Sequence, residues 1–131
     1  VRLLRLAVLS VAVGNLDLHT KNLSLLHRAD GTITLAPAYD VVPQTHLPGD
    51  GDLALAVAGE YRHAAVTRSH LLDEARSWGL GDAAPIVDDT LDVVLEVART
   101  QEPDPRAHPG LGDDIVRFTG NLLAGRPAGG G

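Results

Sequence analysis

The dipeptide Asp30-Gly31 stands between two short apolar runs, residues 23–27 and 32–35, and it constrains the fold more than any other stretch of the chain. Asp-Gly between β-prone segments specifies a tight hairpin, because the favoured turn needs positive φ at its central positions. A hairpin there returns the chain on itself. The polar residues 14–22 before it and the Pro-bracketed residues 37–43 after it must then lie at one end of the molecule. Pro37 and Pro43 are expected to hold Tyr39-Asp40 extended, since a residue preceding proline is biased away from helix. Ahead of the loop, residues 2–13 are nearly all apolar and read as a buried helix, although their Val content leaves a buried strand open. No Ser, Thr, Asp or Asn precedes this element to cap it, so the chain is expected to start inside an element, with Val1 either translated from an alternative start codon or preceded by a segment that has been lost.

Three polar residues at that shared end carry the chemical argument: Asp17, Asn22 and Asp40. Asp17 and Asn22 stand at the spacing D-x-x-x-x-N, which in a kinase catalytic loop sets a carboxylate against the acceptor hydroxyl and a carboxamide against magnesium. Phosphoryl transfer is mostly positioning plus electrostatic stabilisation by cations held on hard oxygen ligands. Asn22 and Asp40 supply such oxygens, and Asp17 can orient a hydroxyl and accept its proton. Each of the three also has a plain reading as a turn former beside a strand. Their joint occurrence around one hairpin favours the chemical reading.

The runs GNLDLHTKNLSLL and LAPAYDVVPQ resemble the catalytic core of HipA-type serine/threonine kinases, which share a pattern close to N-x-D-x-H-x-K-N-x-S and a later P-x-Y-D-V. The segment LALAVAGEYRHAAVTRSHLLDEARSWGL resembles the helical part that follows, so the likeness covers roughly residues 1–100. It implies that Asp17 is the catalytic Asp, that Asn22 and Asp40 hold Mg2+, and that ATP is the phosphoryl donor. Lys21 joins Asp17 as a catalytic candidate, and His19 joins Asn22 and Asp40 among the cofactor contacts. The resemblance further implies a toxin of a toxin-antitoxin module, a Ser/Thr protein substrate, and a small DNA-binding antitoxin as partner. Read from the residues alone, Lys21 either neutralises a phosphate or pairs with Asp17 or Asp40. His19 is a structural loop histidine or, with His27, an incomplete metal site that lacks a third ligand at zinc spacing.

Composition excludes several other classes. A formal net charge of -6 leaves no basic surface for nucleic acid, so direct nucleic-acid binding is not expected. There is no cysteine, hence no disulfide framework or thiolate site, in keeping with a cytoplasmic location. No run approaches the roughly 20 apolar residues needed to cross a bilayer. VRLLRLAVLSVAVGN has the look of a signal peptide, yet it leads straight into the polar motif without a cleavage site. With one Trp, two Tyr and one Phe in 131 residues, the core must be built from Leu, Val and Ala.

The remaining chain reads as mainly helical. Residues 44–51, rich in Pro, Gly and Asp, form a loop where a kinase keeps its activation segment. Residues 53–58 are a helical turn or a strand. Thr67 caps a helix over 68–78 with Gly79 as its stop, and residues 82–100 form another, with Pro85 in its first turn. A last helix spans 113–123. Asp88, Asp89 and Asp92 read as a solvated face, Asp113-Asp114 as first-turn charges favoured by the helix dipole, Glu60 to His63 as structural, and Trp78 as core. The expected architecture is α/β in the broad sense (α+β), a mostly helical kinase-like C-lobe over residues 1–124 with one small β-hairpin, followed by a disordered tail, 125–131. Neither G-x-G-x-x-G nor G-x-x-x-x-G-K-[ST] occurs, so the nucleotide-cradling loop and its Lys are expected in a preceding lobe. Three functions fit: a catalytic lobe that is weak or inactive alone, a non-catalytic module that regulates an intact kinase or antitoxin, and a decayed product.

Overall fold

Helix α1 (Arg2–Val13) runs through the centre of the computed structural model, which describes residues 1–131. Leu4, Val8 and Val11 recur at helical spacing and are almost wholly buried, together with Ala12. The helix stops because Gly14 adopts φ 74, a left-handed conformation that costs a residue without Cβ little. Gly14 N–H then donates to Val11 O (3.2 Å) and Asn15 N–H to Ser10 O (2.8 Å), satisfying two terminal carbonyls. A side chain at Gly14 would also meet Thr45 Cγ2 at 2.8 Å.

Of the three helices that follow, the last two pack on α1 and the first packs on the one after it. Helix α2 (Arg68–Ser77) starts at Thr67, whose hydroxyl accepts from His70 N–H while His70 Nδ1 accepts from Thr67 N–H. It ends one residue earlier than expected, with Gly79 at φ 77. Helix α3 (Ala84–Thr100) buries Val87 and Leu91, and α4 (Leu111–Leu123) buries Phe118 and Leu122. Phe118 is the one aromatic residue in a core otherwise made of Leu, Val and Ala. Arg68 joins α2 to α3 through two bonds to Asp88, Nε to Oδ1 at 2.6 Å and a terminal guanidinium nitrogen to Oδ2 at 2.7 Å. Asp88 is therefore an ion-pair partner rather than part of a solvated face. Asp113 and Asp114 do lie in the first turn of α4. No helix is long and apolar enough to cross a membrane.

The Asp30-Gly31 hairpin forms, with strands shorter than the expected 23–27 and 32–35: β1 (Leu25–His27) pairs antiparallel with β2 (Ile33–Leu35) in the register Leu25 with Leu35 and His27 with Ile33. A second hairpin was not expected. β3 (Asp52–Val57) pairs with β4 (Glu60–Arg62), so residues 53–57 are strand and residues 60–62 are not helical. Ala58 and Gly59 make the turn, both at positive φ, 48 and 83. One small hairpin thus becomes two.

The tail is also corrected. Ala128 is fully buried, its N–H donates to Val66 O (2.8 Å), and Gly129 N–H donates to Ala64 O (3.0 Å). Asn121 Nδ2 reaches back to Ala128 O (3.0 Å) and Gly130 O (2.7 Å), and Arg126 Nε donates to Asn121 Oδ1 (3.1 Å). Composition pointed to disorder because the stretch has one apolar anchor. Backbone bonds and a single polar clamp hold it instead.

Trp78 is a third correction. It is 39% exposed, its indole N–H bonded to Glu74 Oε1 (3.0 Å), at the edge of an apolar cavity of about 330 Å³ lined by Leu3, Ala7, Leu16, Leu53 and Val57.

Candidate active site

The loop after α1 is fixed from two directions. Asn15, almost fully buried, uses Oδ1 to accept from Asp17 N–H (3.1 Å) and Nδ2 to reach Ser10 Oγ (3.4 Å). Across the chain, Gln44 Oε1 accepts from Leu16 N–H (3.0 Å), and Gln44 N–H donates to Gly14 O (2.8 Å). Asp17 therefore sits on backbone that cannot drift, with its own carboxylate exposed.

A short 3-10 turn, Thr20–Asn22, then brings Asn22 back beneath Asp17. Asn22 is buried, and its Nδ2 donates to Asp17 O at 2.9 Å. The D-x-x-x-x-N spacing thus has a structural meaning here: the carboxamide closes the loop that presents the carboxylate. That bond uses an amide proton and leaves Oδ1 able to accept or to ligate a cation.

The other site residues fall as follows. His19 Nε2 lies 3.7 Å from Asp17 Oδ1, too long for a hydrogen bond but within reach of charge attraction when the ring is protonated. Lys21 is exposed, and none of the chain's ion pairs involves it, so the alternative that it pairs with Asp17 or Asp40 is not realised. Asp40 is exposed and adopts φ 56, so it is left-handed rather than extended as its flanking prolines suggested. Pro43 constrains Val42 before it, which leaves Asp40 free to take another conformation.

Tyr39 joins the two halves of the site. Its phenol donates to Lys21 O (3.0 Å) and lies 2.9 Å from Ser24 Oγ. Lys21 precedes Asn22, and Tyr39 precedes Asp40. The segment bearing Asp40 is thereby tied to the turn bearing Asn22.

No three His, Cys, Asp or Glu side chains gather to make a closed metal cage. Magnesium needs less: one or two protein oxygens, with water and phosphate oxygens completing an octahedron. Asn22 Oδ1 and the Asp40 carboxylate are hard oxygen donors of the kind magnesium takes, and no ion pair engages Asp40. Sequence reading missed Asn15, Gln44 and the hydroxyl of Tyr39, all of which hold the site without being chemical themselves. His63, read as structural, is buried, sits edge-on to Phe118 (4.8 Å between ring centres) and donates Nε2–H to Val11 O at 2.7 Å. Burial pushes its pKa below the ordinary histidine value, the nearby Arg117 charge adds to this, and the bond to Val11 O opposes it.

A mixed domain in which a buried helix delivers a polar loop, and a hairpin returns the segment of Tyr39 to it, is the class that fold and site define. This chain belongs to the HipA-like C-terminal domain family, which it matches over residues 1–100. Searches of curated proteins and of solved structures found no match. Residues of α4 lie beyond the family match, yet Phe118 and Leu122 complete the same core.

Proposed function

We propose that this chain is the catalytic lobe of a HipA-type protein serine/threonine kinase, acting with ATP and Mg2+. Asp17 orients the acceptor hydroxyl and takes its proton as the new oxygen–phosphorus bond forms. The bond between the γ-phosphorus and its bridging oxygen breaks, and ADP leaves. Bound Mg2+ would neutralise charge on the phosphate oxygens, and Asn22 and Asp40 are the residues that would hold it. Lys21, unpaired and on the same turn as Asn22, is placed to offset charge on the transferred group, and His19 backs Asp17.

The observation that carries this reading is the bond from Asn22 Nδ2 to Asp17 O, within a motif that lies inside the family match. The cradle for the nucleotide is assigned to a separate N-terminal lobe, since residues 1–131 hold no Gly-rich phosphate motif. On the same reading the protein is cytoplasmic, a toxin component, and bound by a small DNA-binding antitoxin. The test is phosphoryl transfer from labelled ATP to Ser/Thr peptides by this lobe fused to a HipA-type N-terminal lobe. Asp17→Asn should lower the rate by about 10²-fold or more. Equal rates in the two proteins would end the assignment.

A second reading is favoured by the exposed apolar residues of the first hairpin, Leu25 (61%) and Ile33 (57%). They suit a non-catalytic module that docks on an intact kinase or antitoxin. Co-elution of the isolated chain with such a kinase, combined with no effect of Asp17→Asn, would favour this reading over the first.

A further inference from the structure

We propose that Tyr39 is a positioning residue, whose hydroxyl holds Asp40 in its left-handed conformation and thereby sets the carboxylate beside the Asn22 turn. This inference rests on the metal-binding reading above and adds a residue to it.

The argument starts from the backbone. A non-glycine residue at φ 56 is disfavoured by contact of Cβ with the following peptide, and persists only where its surroundings impose it. Asp tolerates this region better than most residues, but tolerance does not select it. Around Asp40 the selecting contact is one residue away. A carbonyl oxygen can only accept, so the phenol proton is committed to Lys21 O, and Ser24 Oγ donates in turn to the phenol oxygen. Both partners flank Asn22 along the chain. One aromatic ring thus links the Asp40 segment to the 3-10 turn on one side of Asn22 and to the start of the hairpin on the other.

The ring also explains why the bridge is rigid. A phenol has two side-chain torsions to fix, far fewer than a Lys or Arg of the same reach, so little freedom is lost in holding it. A Phe ring would keep the packing and lose both hydrogen bonds.

The test uses the 131-residue chain, labelled for NMR, with Tyr39→Phe, Asp40→Asn and, as a control at an exposed tyrosine outside the site, Tyr61→Phe. The first measurement needs no metal. In the wild-type chain the three-bond coupling between the Tyr39 carbonyl carbon and the α-proton of Asp40, large only at positive φ, should report the left-handed conformation, and in Tyr39→Phe it should fall to an averaged value. The second uses Mn2+ as a probe. It should broaden the Asn22 and Asp40 signals selectively, and Tyr39→Phe should need about fivefold more Mn2+, the effect of losing on the order of one hydrogen bond. Asp40→Asn should reduce the broadening further, and Tyr61→Phe should match wild type.

An unchanged Asp40 coupling in Tyr39→Phe overturns the proposal. An unchanged Mn2+ response, where wild type and Asp40→Asn differ, also overturns it and leaves the metal site standing. No selective broadening in wild type removes the metal reading, while a shifted Asp40 coupling in Tyr39→Phe still supports the tether.

Discussion

Gln44 grips Gly14 and Leu16 from far along the chain: its N–H donates to Gly14 O at 2.8 Å while its side-chain oxygen accepts from Leu16 N–H at 3.0 Å. The pair closes the loop that presents Asp17. Two backbone groups left over at the end of α1 are thereby satisfied by one residue of the segment that follows Asp40.

Gln44→Ala should therefore loosen the loop without unfolding the protein. Leu16 N–H, partly buried, would lose its acceptor, at a cost of about 1–2 kcal/mol. Urea unfolding should show that loss, and Leu16 amide exchange should accelerate more than that of Val8 in the core. A Gln44→Glu variant keeps the acceptor and should recover most of the protection.

Gly14→Ala tests two constraints at once. The position has φ 74, and an added Cβ would lie 2.8 Å from Thr45 Cγ2 and 3.2 Å from a ring carbon of Phe118. Conformational strain alone costs on the order of 1 kcal/mol, and crowding against the core adds to it. The melting temperature should fall by several degrees. A Thr45→Ser change, which removes the nearest methyl, should restore part of the loss.

His63 should make stability depend on pH below neutrality. Its folded-state pKa is lowered, chiefly by burial, so folding favours the neutral ring. The contribution is fully present above the unfolded value of about 6.5 and is lost as pH falls through the lower folded value. Stability should thus decline on acidification from about pH 6.5, before most carboxylates titrate. In His63→Gln, an amide that can still donate to Val11 O, the slope in that window should flatten.

Asn121→Ala should release the C-terminal segment. The carboxamide makes two bonds to backbone carbonyls of that segment and accepts a third from Arg126. Its loss should accelerate amide hydrogen exchange at Ala128 and Gly129, with that at Val116 inside α4 unchanged. Comparable exchange in wild type and variant would show that the Val66 and Ala64 backbone bonds suffice alone.

Much of this architecture was readable from local chemistry. Thr67 and Gly79 marked the limits of α2, and Asp30-Gly31 marked the first hairpin, because each acts on backbone within a few residues of itself. The second hairpin escaped because Ala58 takes positive φ, which its side chain does not advertise. The docked tail escaped because its hold comes from Asn121, a residue inside α4 whose role depends on where the chain returns. Asp17 and Asn22 stood out because their spacing matches a kinase catalytic loop, and Asp40 because it follows the hairpin. Asn15, Gln44 and the Tyr39 hydroxyl act across long separations, and no local pattern distinguishes them from ordinary polar residues.

Trp78 is the sole tryptophan, and it stands half in solvent beside the apolar hollow, tethered by Glu74. The protein consequently has a built-in optical reporter. Any apolar molecule or side chain that settles against the indole should shift its fluorescence towards the blue, and no dye need be attached to see it.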